Sequence, residues 1–158
     1  MSDPDLLTEP QQAADPRPPV FRVFNEIGII NQLATAALER RLPDGVHPSQ
    51  FGLLSNLARL GDGKTPAALA SAFQVPKASM TNSLMQLSKR GLIEMRPHAE
   101  DGRKKLVYIT DAGRKVFMDT VQALTPPMIE LTSRIDDLEA ILPKLEELRK
   151  LLDDNRDV

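Results

Sequence analysis

Apolar residues along this chain recur mostly every three or four positions, with one short interval where they alternate. Val20, Val23, Phe24, Ile27, Ile30, Leu33, Ala34, Ala37 and Leu38 predict a long first helix, with Pro18 and Pro19 just ahead and Pro43 just behind. After the loop LPDGVHP, the residues Phe51, Leu53, Leu54, Leu57 and Leu60 predict a second helix, which GDGK stops. Thr65 is a good N-cap and Pro66 fits the first helical position, so a short third helix follows, burying Ala68, Leu69 and Phe73. Gln74 and Val75 make a turn. A fourth helix runs from about Pro76 to Arg90 on an inner stripe of Met80, Leu84 and Leu87. Lys89 and Arg90 suit the negative end of its dipole, and Gly91 is a natural residue just past its end.

The period then switches to two. LIEMR and KLVYI both alternate, with Leu106 and Tyr108 on one side of the second strand and Val107 and Ile109 on the other. Between them lies PHAEDGRK, longer than the usual two to five residues of a hairpin loop. Thr110 caps a fifth helix, with Asp111 in its favourable first turn. Pro126 and Pro127 are expected to bend or break that helix. Leu138, Ile141, Leu145, Leu148 and Leu152 then follow a three-four spacing, a coiled-coil-like seam that Pro143 is expected to kink early.

The expected fold is therefore mainly α with a small β-hairpin. Two short helices joined by a tight turn are a helix-turn-helix. A basic-tipped hairpin directly after it gives the winged-helix order, so residues 46–109 form a winged helix-turn-helix domain. Residues 1–18 are Pro-rich and acidic, without the basic region and apolar core of a signal peptide, and are expected to be a disordered tail. Residues 19–45 and 110–158 are expected to be dimerisation helices. The winged domain ends near Ile109 with a core of its own, which favours packing of the C-terminal seam on another chain.

Charge changes the picture more than composition does. The chain carries a net −2, which argues weakly against an anionic partner for the protein as a whole. Yet residues 76–105 hold seven basic residues against three acids, a net of +4 that leaves −6 elsewhere. That island coincides with the fourth helix and the hairpin. On the helix, Ser79, Asn82, Ser83, Gln86 and Arg90 point away from the inner stripe, with Thr81 in the same candidate set and Lys77 at the N-terminal end. Asn and Gln can each bond adenine through two hydrogen bonds, Ser suits either base type, and Lys and Arg suit phosphate oxygens. On the hairpin, Asp101, Arg103, Lys104 and Lys105 complete a candidate interface with double-stranded DNA.

Catalytic chemistry is poorly represented. The only histidines are His47 and His98, both in loops, and no HExxH, Gly-rich phosphate loop or GxSxG occurs. His98, Glu100 and Asp101 read as a solvated turn rather than a metal cluster. No enzymatic activity, cofactor or metal is expected. The absence of cysteine excludes a disulfide framework, a thiolate metal site and a cysteine-oxidation switch. It is also compatible with a cytoplasmic location. No apolar run approaches the roughly 18–20 residues of a membrane span.

The segment RGLIEMRPHAEDGRKKLVYITDAGRK carries a more specific signal. Arg90-Gly91-Leu92 ends the recognition helix, Asp101-Gly102-Arg103 marks a wing tip, and Ile109-Thr110-Asp111-Ala112-Gly113 opens the next long helix. On these residues the chain, from about Pro19 to Asp153, resembles the MarR family of bacterial transcriptional regulators. The resemblance implies a DNA-binding repressor. It places the fourth helix in the major groove and Arg103 in the minor groove, with Asp101 holding Arg103 by a salt bridge. It also implies that the first and last two helices interleave into a homodimer reading a pseudo-palindrome, with half-site centres about 34–36 Å apart. Many such proteins take a phenolic or other anionic effector between the dimer platform and the winged domains. Two departures bear on the operator sequence: Pro76 stands where the family often has Ser or Thr, and Asn82 where it often has Arg. The alternative expectation is a winged-helix protein-interaction module without DNA binding.

Overall fold

The computed structural model describes residues 16–156. The tail expectation for residues 1–15 therefore lies outside the described residues. The chain divides into two units, residues 1–37 and 38–158. The described part of the first is almost entirely α1, Pro19–Glu39. No residue of α1 is buried, and Phe21, Phe24, Ile30 and Leu33 all lie exposed.

The second unit contains α2 (Pro48–Leu60), α3 (Pro66–Ala72), α4 (Lys77–Lys89), β1 (Ile93–Pro97), β2 (Lys105–Ile109), α5 (Asp111–Thr132), a 3-10 turn at Leu138–Ile141 and α6 (Leu142–Asp154). Its core is the winged domain. Leu54 and Leu57 from α2, Leu69 from α3, Leu84 and Leu87 from α4, and Ile93 and Val107 from the strands are fully enclosed. The Met80–Leu84–Leu87 stripe is buried as its spacing requires. On α3 the buried pair is Leu69 and Ala70, with Phe73 half-buried. Ala68, expected inside, is exposed. It occupies the third position of the helix, where its N–H donates to Thr65 Oγ1 at 3.1 Å in the N-cap.

β1 and β2 pair antiparallel, with Ile93 opposite Ile109 and Pro97 opposite Lys105. A third short run joins them. Lys64 bridges Val107, with Gly63 N donating to Val107 O (2.8 Å) and Val107 N to Lys64 O (2.9 Å). This connection was hidden in the sequence because GDGK reads only as a helix stop. It ties the base of the hairpin to the end of α2, and Arg114 of α5 adds an ion pair to Asp62 at 3.2 Å.

The junction at Thr110 explains the ITDAG motif. Thr110 Oγ1 accepts from Gly113 N (3.1 Å), capping α5, and donates to Gly91 O (2.7 Å), fastening α5 to the end of α4. Thr110 N donates to Leu92 O at 3.2 Å. Gly113 is buried directly under that carbonyl.

Two expectations for the C-terminal part need correction. Of the bend or break expected at Pro126 and Pro127, the break does not occur: α5 runs through both. Each proline deprives a carbonyl four residues earlier, on Gln122 and Ala123, of its N–H partner. Both residues are exposed, so water can take the donor's place. The seam from Leu138 to Leu152 is not one kinked helix either. Leu138 and Ile141 lie on the 3-10 turn, entered through Asp137 at φ 55°, while Leu145, Leu148 and Leu152 lie on α6. Pro143 sits in the first turn of α6, where a missing N–H costs nothing. No described helix is long and apolar enough to cross a membrane.

Candidate nucleic-acid interface

The turn between α3 and α4 is built by Gln74, whose φ of 51° places it in the left-handed region just past the end of α3. Its N–H donates to Ser71 O and that of Val75 to Ala70 O, closing the helix end. Pro76 then starts α4 without a side-chain cap. With Met80, Leu84 and Leu87 inward, helical geometry sets Asn82 outermost, flanked by Met85 and Lys89. Met85 is 58% exposed.

The seven candidate residues of α4 divide into two groups. Lys77, Thr81 and Asn82 are exposed, Asn82 outermost and the other two on the flank away from α2. Thr81 Oγ1 donates to Lys77 O at 2.9 Å, so its hydroxyl proton is already committed to the helix backbone. Among the described residues the Asn82 amide makes no hydrogen bond to protein. The other four lie on the flank that turns toward α2. Ser79 and Ser83 border a small cavity of about 160 Å³ with Ser49, Leu53, Phe73, Val75 and Met80. Gln86 Oε1 accepts from Gln50 Nε2 at 2.6 Å. Both terminal nitrogens of Arg90 donate to the carbonyl of Asp44, Nη1 at 2.9 Å.

Arg90 was expected to meet phosphate; here it grips the loop before α2. That loop is shaped for it. Val46 N donates to Pro43 O at 3.0 Å, and Gly45 at φ 74° occupies the third turn position, which turns the Asp44 carbonyl outward. A Cβ on Gly45 would sit 3.0 Å from the guanidinium carbon of Arg90, so the missing side chain is what admits the arginine.

Gln50 is the residue the sequence reading passed over. The residue is 3% exposed, yet its amide is bonded at both ends: Oε1 accepts from His47 N at 3.0 Å while Nε2 donates to Gln86 Oε1. The signal was present, because Gln50 shares the three-four spacing of Leu53, Leu54 and Leu57 and so belongs to the inner face of α2.

The wing joins its four candidates closely. Asp101 Oδ1 accepts from Arg103 Nε (3.3 Å) and Arg103 N (3.2 Å), while Oδ2 lies 3.8 Å from Lys104 Nζ. The tip is braced by Lys104 N on Asp101 O and by His98 N on Lys104 O, both at 2.9 Å. His98 Nδ1 accepts from Glu100 N at 3.1 Å, which gives that histidine a loop-shaping role. The Arg103 side chain is 94% exposed. An ion pair so open to water contributes about 0–1 kcal/mol to stability. Its consequence is to restrain where the guanidinium points. Lys105 stands beside them at the start of β2, and Arg103, Lys104 and Lys105 line one wall of an open groove of about 500 Å³ whose other wall is Thr65, Pro66 and Ala67 at the start of α3. Among the described residues, no group of three His, Cys, Asp or Glu side chains is arranged to hold a metal ion.

An exposed polar helix beside a wing with a restrained arginine is an arrangement suited to a duplex, one element per groove. Comparison with known proteins points to a transcriptional regulator. The MarR family pattern matches residues 44–104. An HTH-type transcriptional regulator of Mycobacterium leprae is 27% identical over 137 residues, 85% of this chain and 95% of that protein. The transcriptional regulator HosA of Escherichia coli O127:H6 is 30% identical over 96 residues, 61% of this chain and 70% of HosA. Among solved structures, a mutant MarR from Escherichia coli complexed with operator DNA superposes with a TM-score of 0.67 at 26% identity, covering 84% of this chain and 95% of that one.

Proposed function

Since the chain belongs to the MarR family and is a DNA-binding transcriptional regulator, we propose that it acts as a homodimeric repressor on a pseudo-palindromic operator. In this reading α4 enters the major groove and the wing the adjacent minor groove. The observation that carries it is the pairing of an outward polar face on α4 with Arg103, exposed and restrained by Asp101. Asn82 reads a base edge, Lys77 and Lys104 meet phosphates, and Arg103 meets the negative potential of a narrow minor groove. The protein-interaction alternative has no observation in its favour.

The dimer is supported by what lies uncovered. Phe21 and Leu33 on α1, Ile129 and Leu131 on α5, and Leu151 and Leu152 on α6 are all exposed apolar residues. Single exposed apolar side chains need no explanation, but helices bearing rows of them are typical of association surfaces. Sedimentation at micromolar concentration should give a dimer mass; a monomer would refute this part. Leu131, 73% exposed, provides the sharper check. Leu131→Glu places a charge on that surface without touching the winged core, and should yield a monomer that unfolds normally but has lost operator affinity. A phenolic or other anionic effector would release DNA by favouring a spacing of the two recognition helices that does not fit the operator.

Salt titration of binding to the intergenic DNA upstream of the coding sequence tests the interface as a whole. Log affinity should fall against log salt with a slope of roughly −0.9 per neutralised phosphate. A flat dependence would sink the interface. At the level of single residues, Asn82→Ala should leave unfolding within about 0.5 kcal/mol of wild type, because the side chain is exposed and unbonded. It should cost about 1–3 kcal/mol at particular base pairs and nothing elsewhere in the site. Affinity measured across single-base variants of the operator distinguishes that pattern from a uniform loss.

A further inference from the structure

Gln86 is an exposed residue of α4 whose amide is held from behind by a buried one. The direction in which it is held can be worked out from a single certain donor. The backbone N–H of His47 can only donate, so the atom of Gln50 that faces it at 3.0 Å is the amide oxygen. The opposite end of Gln50 is then the NH2 group, which can only donate as well. It faces Gln86 at 2.6 Å, so the atom of Gln86 turned inward is its oxygen. Gln86 therefore turns its own NH2 group away from α2. Gln50 has little freedom to relax this, being 3% exposed in the core side of α2. The same flank of α4 is pinned one turn further on by Arg90 on the Asp44 carbonyl.

We propose that Gln50 is a positioning residue that makes Gln86 a donor-only reader of the major groove. An unrestrained glutamine recognises adenine by accepting from N6 while donating to N7. Here the oxygen is turned inward onto Gln50, so the two-bond adenine contact is lost. What remains is one or two N–H donors, which fit bases that present acceptors in the major groove without a competing donor: guanine through N7 and O6, or thymine through O4. Cytosine, which offers N4–H2 there, meets a donor with a donor and is disfavoured. This inference rests on α4 lying in the major groove, and it changes the expectation for Gln86 from adenine to guanine or thymine.

The test is in vitro selection of bound sequences by the full-length protein and by Gln86→Ala, Gln50→Leu and Gln50→Glu. The position that loses its preference in Gln86→Ala is the one Gln86 reads. In the wild type, that position should carry guanine or thymine over adenine by roughly tenfold. Gln50→Leu frees the Gln86 amide and should admit adenine. Gln50→Glu replaces the inward donor by an acceptor. Gln86 should then turn its NH2 group inward and its oxygen outward, moving the preference to adenine or cytosine. A wild-type preference for adenine, or an unchanged preference in both Gln50 variants, overturns the proposal.

Failure of α4 to meet DNA at all would show as selection without any enriched sequence. The amide orientation is then decided on the free protein by the side-chain NH2 resonances of Gln86. Gln50→Glu should shift them and slow their exchange with water, because they become buried donors. Gln86 NH2 resonances that stay unmoved in a folded Gln50→Glu protein, or that are already protected in the wild type, overturn the proposal regardless of DNA. Thermal unfolding of each variant confirms that a folded protein is being compared.

Discussion

Gly113→Ala should unfold at much lower temperature than the wild type, the largest stability loss expected from any single methyl group in this chain. The reason is not conformational freedom, since the residue lies within regular helix in the first turn of α5. It is space. A Cβ there would meet the Leu92 carbonyl oxygen far inside contact distance, and would lie 2.9 Å from Ile109 Cγ1 and 3.1 Å from the Leu92 carbonyl carbon. The obstacle is backbone, which cannot rotate aside as a side-chain tip would. Relief requires α5 to lift from the end of α4, and that movement opposes three bonds at once: Thr110 N to Leu92 O, Thr110 Oγ1 to Gly91 O and Gly113 N to Thr110 Oγ1. Overpacking a tight site typically costs about 1–3 kcal/mol and occasionally more; the backbone obstacle here argues for about 3 kcal/mol or above. Urea unfolding of Gly113→Ala beside Thr110→Ala separates the terms. The threonine variant loses its cap and should cost about 1 kcal/mol. A glycine variant no worse than the threonine variant would show that the junction is looser than the close approach implies.

The same junction shows what a sequence can and cannot display. That Thr110 begins a helix was legible, because a hydroxyl residue before an apolar-periodic stretch has a local physical meaning. That Gly113 must lack a side chain was not, because the obstacle belongs to Leu92, in the turn between α4 and β1. Periodicity exposed the Met80–Leu84–Leu87 stripe and the alternation of β2 for the same reason that it exposed Thr110: each depends on near neighbours in the chain. The outward set of α4 was harder. A helical wheel separates inner from outer but not one outer flank from the other. Ser79, Ser83, Gln86 and Arg90 therefore looked equivalent to Asn82 until α2 and the loop before it took their places alongside. Gln50 illustrates the opposite difficulty. A polar residue at an inner position looks like an interruption until its partners, a backbone N–H and another amide, are seen. The prolines of α5 do not break it, because the cost of a missing donor depends on whether water can replace it. Spacing does not report that.

Asp101→Ala on the wing should weaken specific operator binding even though it removes a negative charge from a basic hairpin tip. The two ways of reading Asp101 give opposite signs, which makes the variant decisive. If the carboxylate merely opposes the surrounding cations, deleting it raises the local positive potential and tightens binding to every sequence. If it directs Arg103, deletion lets a 94% exposed side chain wander. Restraining that side chain then costs entropy at the moment of binding, of order 0.5–1.5 kcal/mol for one long side chain. Binding to unrelated DNA should hold steady or rise slightly, while operator binding falls, so the ratio of the two is the quantity to measure. Arg103→Ala should go further, lowering affinity by about 1–3 kcal/mol per wing with little change in preference among major-groove bases. Neither change should move unfolding by more than about 0.5 kcal/mol, because the pair is a surface one. The double variant closes the argument. With Arg103 gone, Asp101 has no guanidinium left to direct, so removing it as well should cause no further loss and should recover a little affinity through charge alone. An additive loss in the double variant would mean that Asp101 acts on DNA binding by another route, through the Lys104 contact at 3.8 Å or the shape of the tip itself.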